Sequence, residues 1–262
     1  MNTSIRIGHL YPSLLSVAGD RGNLFALQRR SQWRGIGTEV TEIGVDETPD
    51  FTQFDLILFH GGQDKEMDVA ARDLGPKAES LRAAVESDVA VLAVCAGYQL
   101  LGHYYQPSRG PRFEGISALD VYTEAGPIRF MNHIAVECEF AQGSRRSLVG
   151  FENHSGRTYR GQSVGPLGRV LAGGGNNGED GTEGAIYRQV YCTYMHGPVL
   201  PKNPWFTDHL ILQALRHRYG EAAQLEPLAA ASEEKAHQAA LQLAMRSKGK
   251  MTAIEATPWR AS

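Results

Sequence analysis

Residues 89–102, VAVLAVCAGYQLLG, decide how this chain folds. Val89 to Val94 is a continuous apolar, β-branched run, as expected of a strand buried on both faces. It stops at Cys95. The small residues Ala96 and Gly97 follow, then a helical pattern from Tyr98 to Leu101. The result is a strand–turn–helix with a thiol at the tight point, the layout of a nucleophile elbow. The first N–H groups of the helix then point at whatever the thiol attacks. Taken alone, this pattern fits a hydrolase, a thiol transferase or a buried bystander cysteine.

Working outward, Ile5–Leu10 reads as a first strand ended by Pro12. Asp20-Arg21-Gly22-Asn23 reads as a turn or cap before a helix from Leu24 to Trp33. Thr38–Ile43 is a second strand. Phe54–Phe59 (FDLILF) is a short central strand that stops at His60-Gly61-Gly62-Gln63-Asp64. Pro76–Ser87 reads as a helix opening with proline. This alternation predicts an α/β fold with a mostly parallel, doubly wound sheet and helices on both faces. Ligands of such sheets sit beyond the carboxyl ends of the strands, where both Gly61-Gly62 and Cys95 fall.

The second half has another character. Residues 106–115 read as a loop. Leu119–Thr123, Ile134–Phe140, Val170–Leu171 and Gly184–Tyr194 read as strands. This β-rich half is expected to pack on the same sheet, with Gly173–Gly184 (GGGNNGEDGTEG) as an exposed turn. Trp205–Tyr219 and Ser232–Arg246 follow as helices. Ser232 is the expected N-cap of the second, and Arg246 and Lys248 lie near its end. Residues 247–262 read as a frayed tail. The division expected is one domain over 1–220 and a C-terminal helix and tail over 221–262.

Composition bounds the function. The 262 residues carry a formal net charge of −3 at an isoelectric point near 6.3, which gives no basic footprint for nucleic acid or an acidic membrane surface. No signal peptide or transmembrane run is read, so a cytoplasmic location without membrane insertion is expected. The three cysteines, Cys95, Cys138 and Cys192, are too few and too scattered for a disulfide framework. Cys138 and Cys192 sit in apolar strands and read as buried hydrophobes. No CxxC or HExxH spacing suggests a metal, and no GxxxxGK[ST] suggests ATP.

A reactive thiol needs a base and a lowered pKa. Of nine histidines, His196 closes the strand VYCTYMHG and is followed by Gly197-Pro198, so it too lies at a strand end. His154, in GFENHSGRT, is the rival. Backbone N–H groups of Ala96 and Gly62 are the candidate oxyanion donors.

AVCAGYQLLG resembles the nucleophile segment of class I glutamine amidotransferases. GFENHSGRT and YMHGPVL resemble the branch containing the cobyric acid and cobyrinate amidotransferases. HLYPSLLSVAGDRGN, HGGQDKEM and HGPVLPKNPWFTD are most similar to the glutaminase subunits of bacterial lipid II isoglutaminyl synthases. The resemblance runs from about residue 5 to 215, with several motifs in order. It implies that Cys95 is the nucleophile and His196 the base in hydrolysis of L-glutamine. It implies that Arg129, in PIRFMNH, binds the substrate carboxylate. It also implies that the ammonia passes to a Mur-ligase-like partner, MurT, which carries ATP and Mg and amidates the D-glutamate α-carboxylate of lipid II in peptidoglycan synthesis. The chain itself would need no cofactor and would work at the inner face of the membrane. Many class I amidotransferases have His-x-Glu, whereas position 198 here is proline, so the group orienting His196 is unassigned. A corrinoid acceptor and a non-catalytic regulatory module remain as alternatives.

Overall fold

The computed structural model describes residues 3–139, 145–247 and 253–255. Its first half is β1 (Ser4–Leu10), α1 (Gly22–Gln32), β2 (Gly37–Ile43), β3 (Leu56–Phe59), α2 (Asp64–Glu86), β4 (Ala90–Val94) and α3 (Ala96–Leu101). These are followed by β5 (Tyr104–Gln106), β6 (Phe113–Glu114), β7 (Val121–Cys138), β8 (Arg146–Arg160), β9 (Gly168–Ala172) and β10 (Thr182–Glu183). The chain continues through β11 (Ala185–Tyr187), β12 (Val190–Thr193) and β13 (Met195–His196). It ends with α4 (Val199–Lys202), α5 (Pro204–Tyr219), α6 (Ala231–Arg246) and β14 (Ala253–Glu255).

Six strands form the first sheet in the order β11-β12-β4-β3-β1-β2, parallel except for β11. Side chains alternate between its faces, as a period of two requires. Leu56 and Leu58 of β3 and Ala90, Leu92 and Val94 of β4 meet Leu27 of α1 and Leu210 and Ala214 of α5. Ile57, Phe59, Val91 and Ala93 face the opposite way, against Met67, Leu74 and Leu81 of α2. Both faces are therefore dry, which explains why these strands read as unbroken apolar runs. The strand order places β4, and the Cys95 that ends it, in the middle of the sheet.

The β-rich half does not join that sheet as expected. It forms a second, eight-stranded sheet around the long β7–β8 antiparallel pair. Only β11 and β12 return to the first sheet. The span 184–194 is accordingly two strands, turned at Arg188 with φ 52°. The helix expected from Pro76 begins twelve residues earlier, at Asp64. Asp64 and Glu66 favour its N-terminus. Pro76 and Arg72 both lie on its exposed side, so the carbonyl that proline leaves unpaired faces solvent. Helix α6 starts at Ala231 with Ala230 at the cap position, and no side chain caps it, so Ser232 does not have that role. Phe140, Lys248 and most of the expected tail lie outside the described residues.

The C-terminal helix is packed against the body of the fold. Ala244 joins Ala135, Val149 and Ala172 in a small core against the second sheet. Arg30 of α1 is paired with Asp208 of α5 at 2.7 Å and Glu233 of α6 at 2.6 Å, which ties three helices together. Beyond it, β14 pairs antiparallel with β7, Ile254 opposite Arg129.

Candidate active site

Cys95 has φ 52° and ψ −104°, a backbone conformation that β-carbon sterics disfavour. Its N–H is held by the carbonyl of Thr193 at 2.9 Å, and the next turn begins α3 at Ala96. The strain presents the thiol, half-buried, at the carboxyl end of the sheet. Gly61, after β3, lies directly against it. A Cβ there would stand 2.7 Å from His196 Cε1 and 3.1 Å from the Cys95 Cβ, so only glycine permits this approach.

His196 arrives from the other sheet. β12 ends at Thr193, and the chain crosses through Tyr194 into β13, which pairs with β8. Glu183 clasps this crossover. Its Oε1 accepts from the Tyr194 N–H at 2.6 Å and from Thr193 Oγ1 at 3.1 Å. Thr193 Oγ1 accepts in turn from the Met195 N–H at 3.0 Å. One strand end thus holds both Cys95, through the Thr193 carbonyl, and His196.

His196 is 2 % exposed. Its Nδ1 is 3.0 Å from Asp20 Oδ2, and the ring also hydrogen-bonds with Cys95. Burial is the largest single influence and would lower its pKa. The hydrogen bonds and negative charge of Asp20 and Cys95 outweigh burial and raise it to about 10. The other buried histidines nearby go the opposite way. Burial takes His9 to about 4, His154 to about 3, and His60 well below its ordinary value.

Asp20 is the residue that sequence reading missed. It lies in the turn before α1, taken as a cap, and is fully buried. It lies ten positions beyond the end of β1, so strand spacing could not aim it. Its signal was Pro198, which stands where an acid was expected. A Cβ on Gly22 would meet Pro198 Cγ at 2.5 Å. The turn bearing Asp20 is therefore pressed onto the Gly197-Pro198 corner, and the acid reaches His196 through space.

Cys95, His196, Gly62 and Arg129 line one cavity of about 560 Å³, a size suited to a small metabolite. Arg129 comes from β7, and Asn153 of β8 holds it at Nε (2.6 Å) and through its carbonyl at Nη2 (3.3 Å). The Ala96 N–H heads α3 beside the thiol, whereas the Gly97 N–H is spent on the His60 carbonyl at 3.2 Å. Gln99 also lines the cavity, its amide donating to Tyr194 Oη at 3.1 Å. His154 is present too, but its ring stacks on Tyr194 at 3.8 Å and its Nδ1 meets the Gly156 carbonyl at 2.9 Å. It is a neutral wall of the cavity, and no hydrogen bond joins it to the thiol among the described residues.

The glycine-rich loop 173–184 is exposed only at its tip, residues 178–181, and not throughout as expected. Gly174 to Asn177 are buried. The N–H groups of Gly174 and Gly175 donate to Glu152 at 2.8 to 3.0 Å, and Asn176 bridges both backbone groups of Gly184. Burial raises Glu152 to about 7 and Glu183 to about 8, against the donors that hold them. A carboxyl whose pKa is higher folded than unfolded makes the fold lose stability as pH rises from about 4.5 through about 8. Glu183→Gln keeps the acceptor oxygen and removes the charge. It is expected to flatten the fall in Tm between about pH 5 and pH 9. Parallel curves for the two proteins would refute this.

Comparison with known proteins gives a consistent picture. The CobB/CobQ-like glutamine amidotransferase domain family matches residues 6–204. The lipid II isoglutaminyl synthase (glutamine-hydrolyzing) subunit GatD of Streptococcus pneumoniae is 37% identical over 222 residues, covering 84% of each chain. The GatD subunit of Staphylococcus aureus is 38% identical over 214 residues, covering 82% of this chain and 86% of that one. Cobyric acid synthase of Limosilactobacillus reuteri is 30% identical over 169 residues, 61% of this chain but 32% of that one. A solved glutamine amidotransferase superposes with a TM-score of 0.51 at 19% identity, over 79% of this chain and 98% of that one, which shows a common fold.

Proposed function

Because the chain belongs to the CobB/CobQ-like glutamine amidotransferase family, we propose that its cavity hydrolyses L-glutamine by thioester chemistry at Cys95. The observation that carries this reading is the alignment Cys95–His196–Asp20 at the floor of a cavity that also holds Arg129. With its pKa raised to about 10, His196 is an imidazolium at neutral pH and faces the Cys95 sulfur. The thiolate attacks the side-chain carboxamide carbon. The carbonyl oxygen becomes anionic, and the N–H groups of Ala96 and Gly62 are its donors. Collapse breaks the C–N bond, and His196 gives its proton to the departing nitrogen, which leaves as ammonia. Neutral His196 then takes a proton from water, whose oxygen attacks the thioester. Glutamate leaves and the thiolate–imidazolium pair is restored. Asp20 keeps the ring in one orientation and stabilises its charge throughout. Arg129 holds the α-carboxylate of the substrate through its planar fork.

The ammonia is destined for a separate ligase. The GatD relatives are named as subunits and match this chain over most of their length. Their names support lipid II as the acceptor and a second subunit as the partner; our reading makes that partner the Mur-ligase-like MurT, in a heterodimer. The partner would bind ATP and Mg and make D-isoglutamine at the inner face of the membrane. No helix among the described residues is long and apolar enough to cross a membrane. A corrinoid acceptor is the second reading, and the cobyric acid synthase similarity favours it only over the shared amidotransferase portion.

The test is to follow L-glutamine-dependent amidation with the ligase that co-purifies with this chain. Glutamate release coupled to D-isoglutamine formation on lipid II is expected. Amidation of a corrinoid carboxylate instead would replace the acceptor. Absence of glutamate release in the complex would overturn the glutaminase reading.

A further inference from the structure

Asp64, the first residue of α2, faces the same cavity. It is the one acid among the described residues lining that cavity, where Lys65 and Arg129 are the aliphatic and guanidinium cations. No hydrogen bond or ion pair occupies its carboxylate among the described residues. Tyr105, on β5, locates it. That phenol hydrogen-bonds with Ser155 and lies within electrostatic reach of Asp64, Cys95 and Arg129 alike. Asp64 and Arg129 also sense each other's charge across the cavity without touching, since no ion pair joins them. Asp64 is exposed at the rim of the cavity, where partial desolvation raises its pKa against the pull of Arg129.

An α-amino acid head is a zwitterion with its two charges on one carbon. A site that supplied only Arg129 would bind any carboxylate of the right length. One that also presents a separate, unneutralised carboxylate matches both charges and disfavours a substrate lacking either. We propose that Asp64 receives the α-ammonium group of the substrate, so that Asp64 and Arg129 together make the site selective for an α-amino acid amide. This rests on the glutaminase reading of the cavity and adds a specificity-determining residue to it.

Asp64 also stands where an acid stabilises a helix N-terminus, so its test must separate recognition from folding. The comparison is kcat/KM for L-glutamine against glutaramate, which has the same carboxylate and carboxamide but no ammonium. It is made with the complex that co-purifies, for wild type, Asp64→Asn and Asp64→Glu. In the wild type, L-glutamine is expected to be strongly preferred. Asp64→Asn should shrink that preference by about 10- to 100-fold, the worth of one hydrogen bond to a charged group. Asp64→Glu should restore part of it. A purely structural role lowers both substrates by the same factor and leaves the ratio unchanged, which would overturn the proposal. So would an unaltered ratio at unaltered rates. Those outcomes leave the glutaminase reading standing, whereas a wild-type complex that releases ammonia from neither amide overturns both.

Discussion

Cys95→Ala is expected to abolish glutamate release, by roughly 10⁴- to 10⁶-fold, while leaving the fold intact. The size of the effect follows from the role. Without the sulfur no thioester forms, and only binding and the oxyanion donors remain to help water attack directly. The fold should survive because alanine has the same β-carbon and meets the same steric cost at φ 52°, so the strained turn is neither relieved nor worsened. The Thr193 carbonyl still receives the backbone N–H of residue 95. Glutamate release and thermal unfolding, measured on one preparation, check the two halves. Retained activity with a normal Tm would show that Cys95 is not the nucleophile.

Asp20→Asn should lower kcat by about 10²- to 10⁴-fold and change the pH profile. The substitution keeps the shape and an acceptor oxygen, but it removes the charge that holds His196 up against the effect of burial. The pKa of His196 then falls from about 10 toward 6.5, and the imidazolium form is lost at lower pH. The basic limb of kcat/KM should therefore move toward neutrality. Stability follows the same sign. A histidine raised on folding contributes fully below about 6.5 and loses that contribution as pH rises through about 10. In Asp20→Asn that window contracts. An unchanged basic limb would mean that Asp20 does not act through His196.

Much of this arrangement is legible in the amino-acid sequence. The central strands are, because burial on both faces leaves no room for polar residues in β3 and β4. Cys95 is, because a strand, small residues and a helix in succession admit few backbone paths. His196 and Arg129 stand out by position and resemblance, and both prove to line the cavity with Cys95. What could not be read depends on contacts distant in sequence. Asp20 lies 176 positions from its partner in sequence. The first part of the glycine-rich loop is buried where Gly174 and Gly175 give their N–H groups to Glu152, and nothing local announces that contact. The second sheet was misjudged because its short pieces alternate weakly, and β7 bears a register shift between Ala125 and Phe130.

The crossing at Thr193–Tyr194 has a mechanical consequence. The thiol belongs to one layer of the molecule and the imidazole to the next, and a hinge of two residues joins them. The sulfur-to-nitrogen gap is thus a vernier on the alignment of the layers. Sliding one layer by about 1 Å would open the gap by a similar amount, a misplacement able to cost about 10²-fold in rate. A ligand or partner that shifted one layer against the other would therefore act on the reaction without touching Cys95.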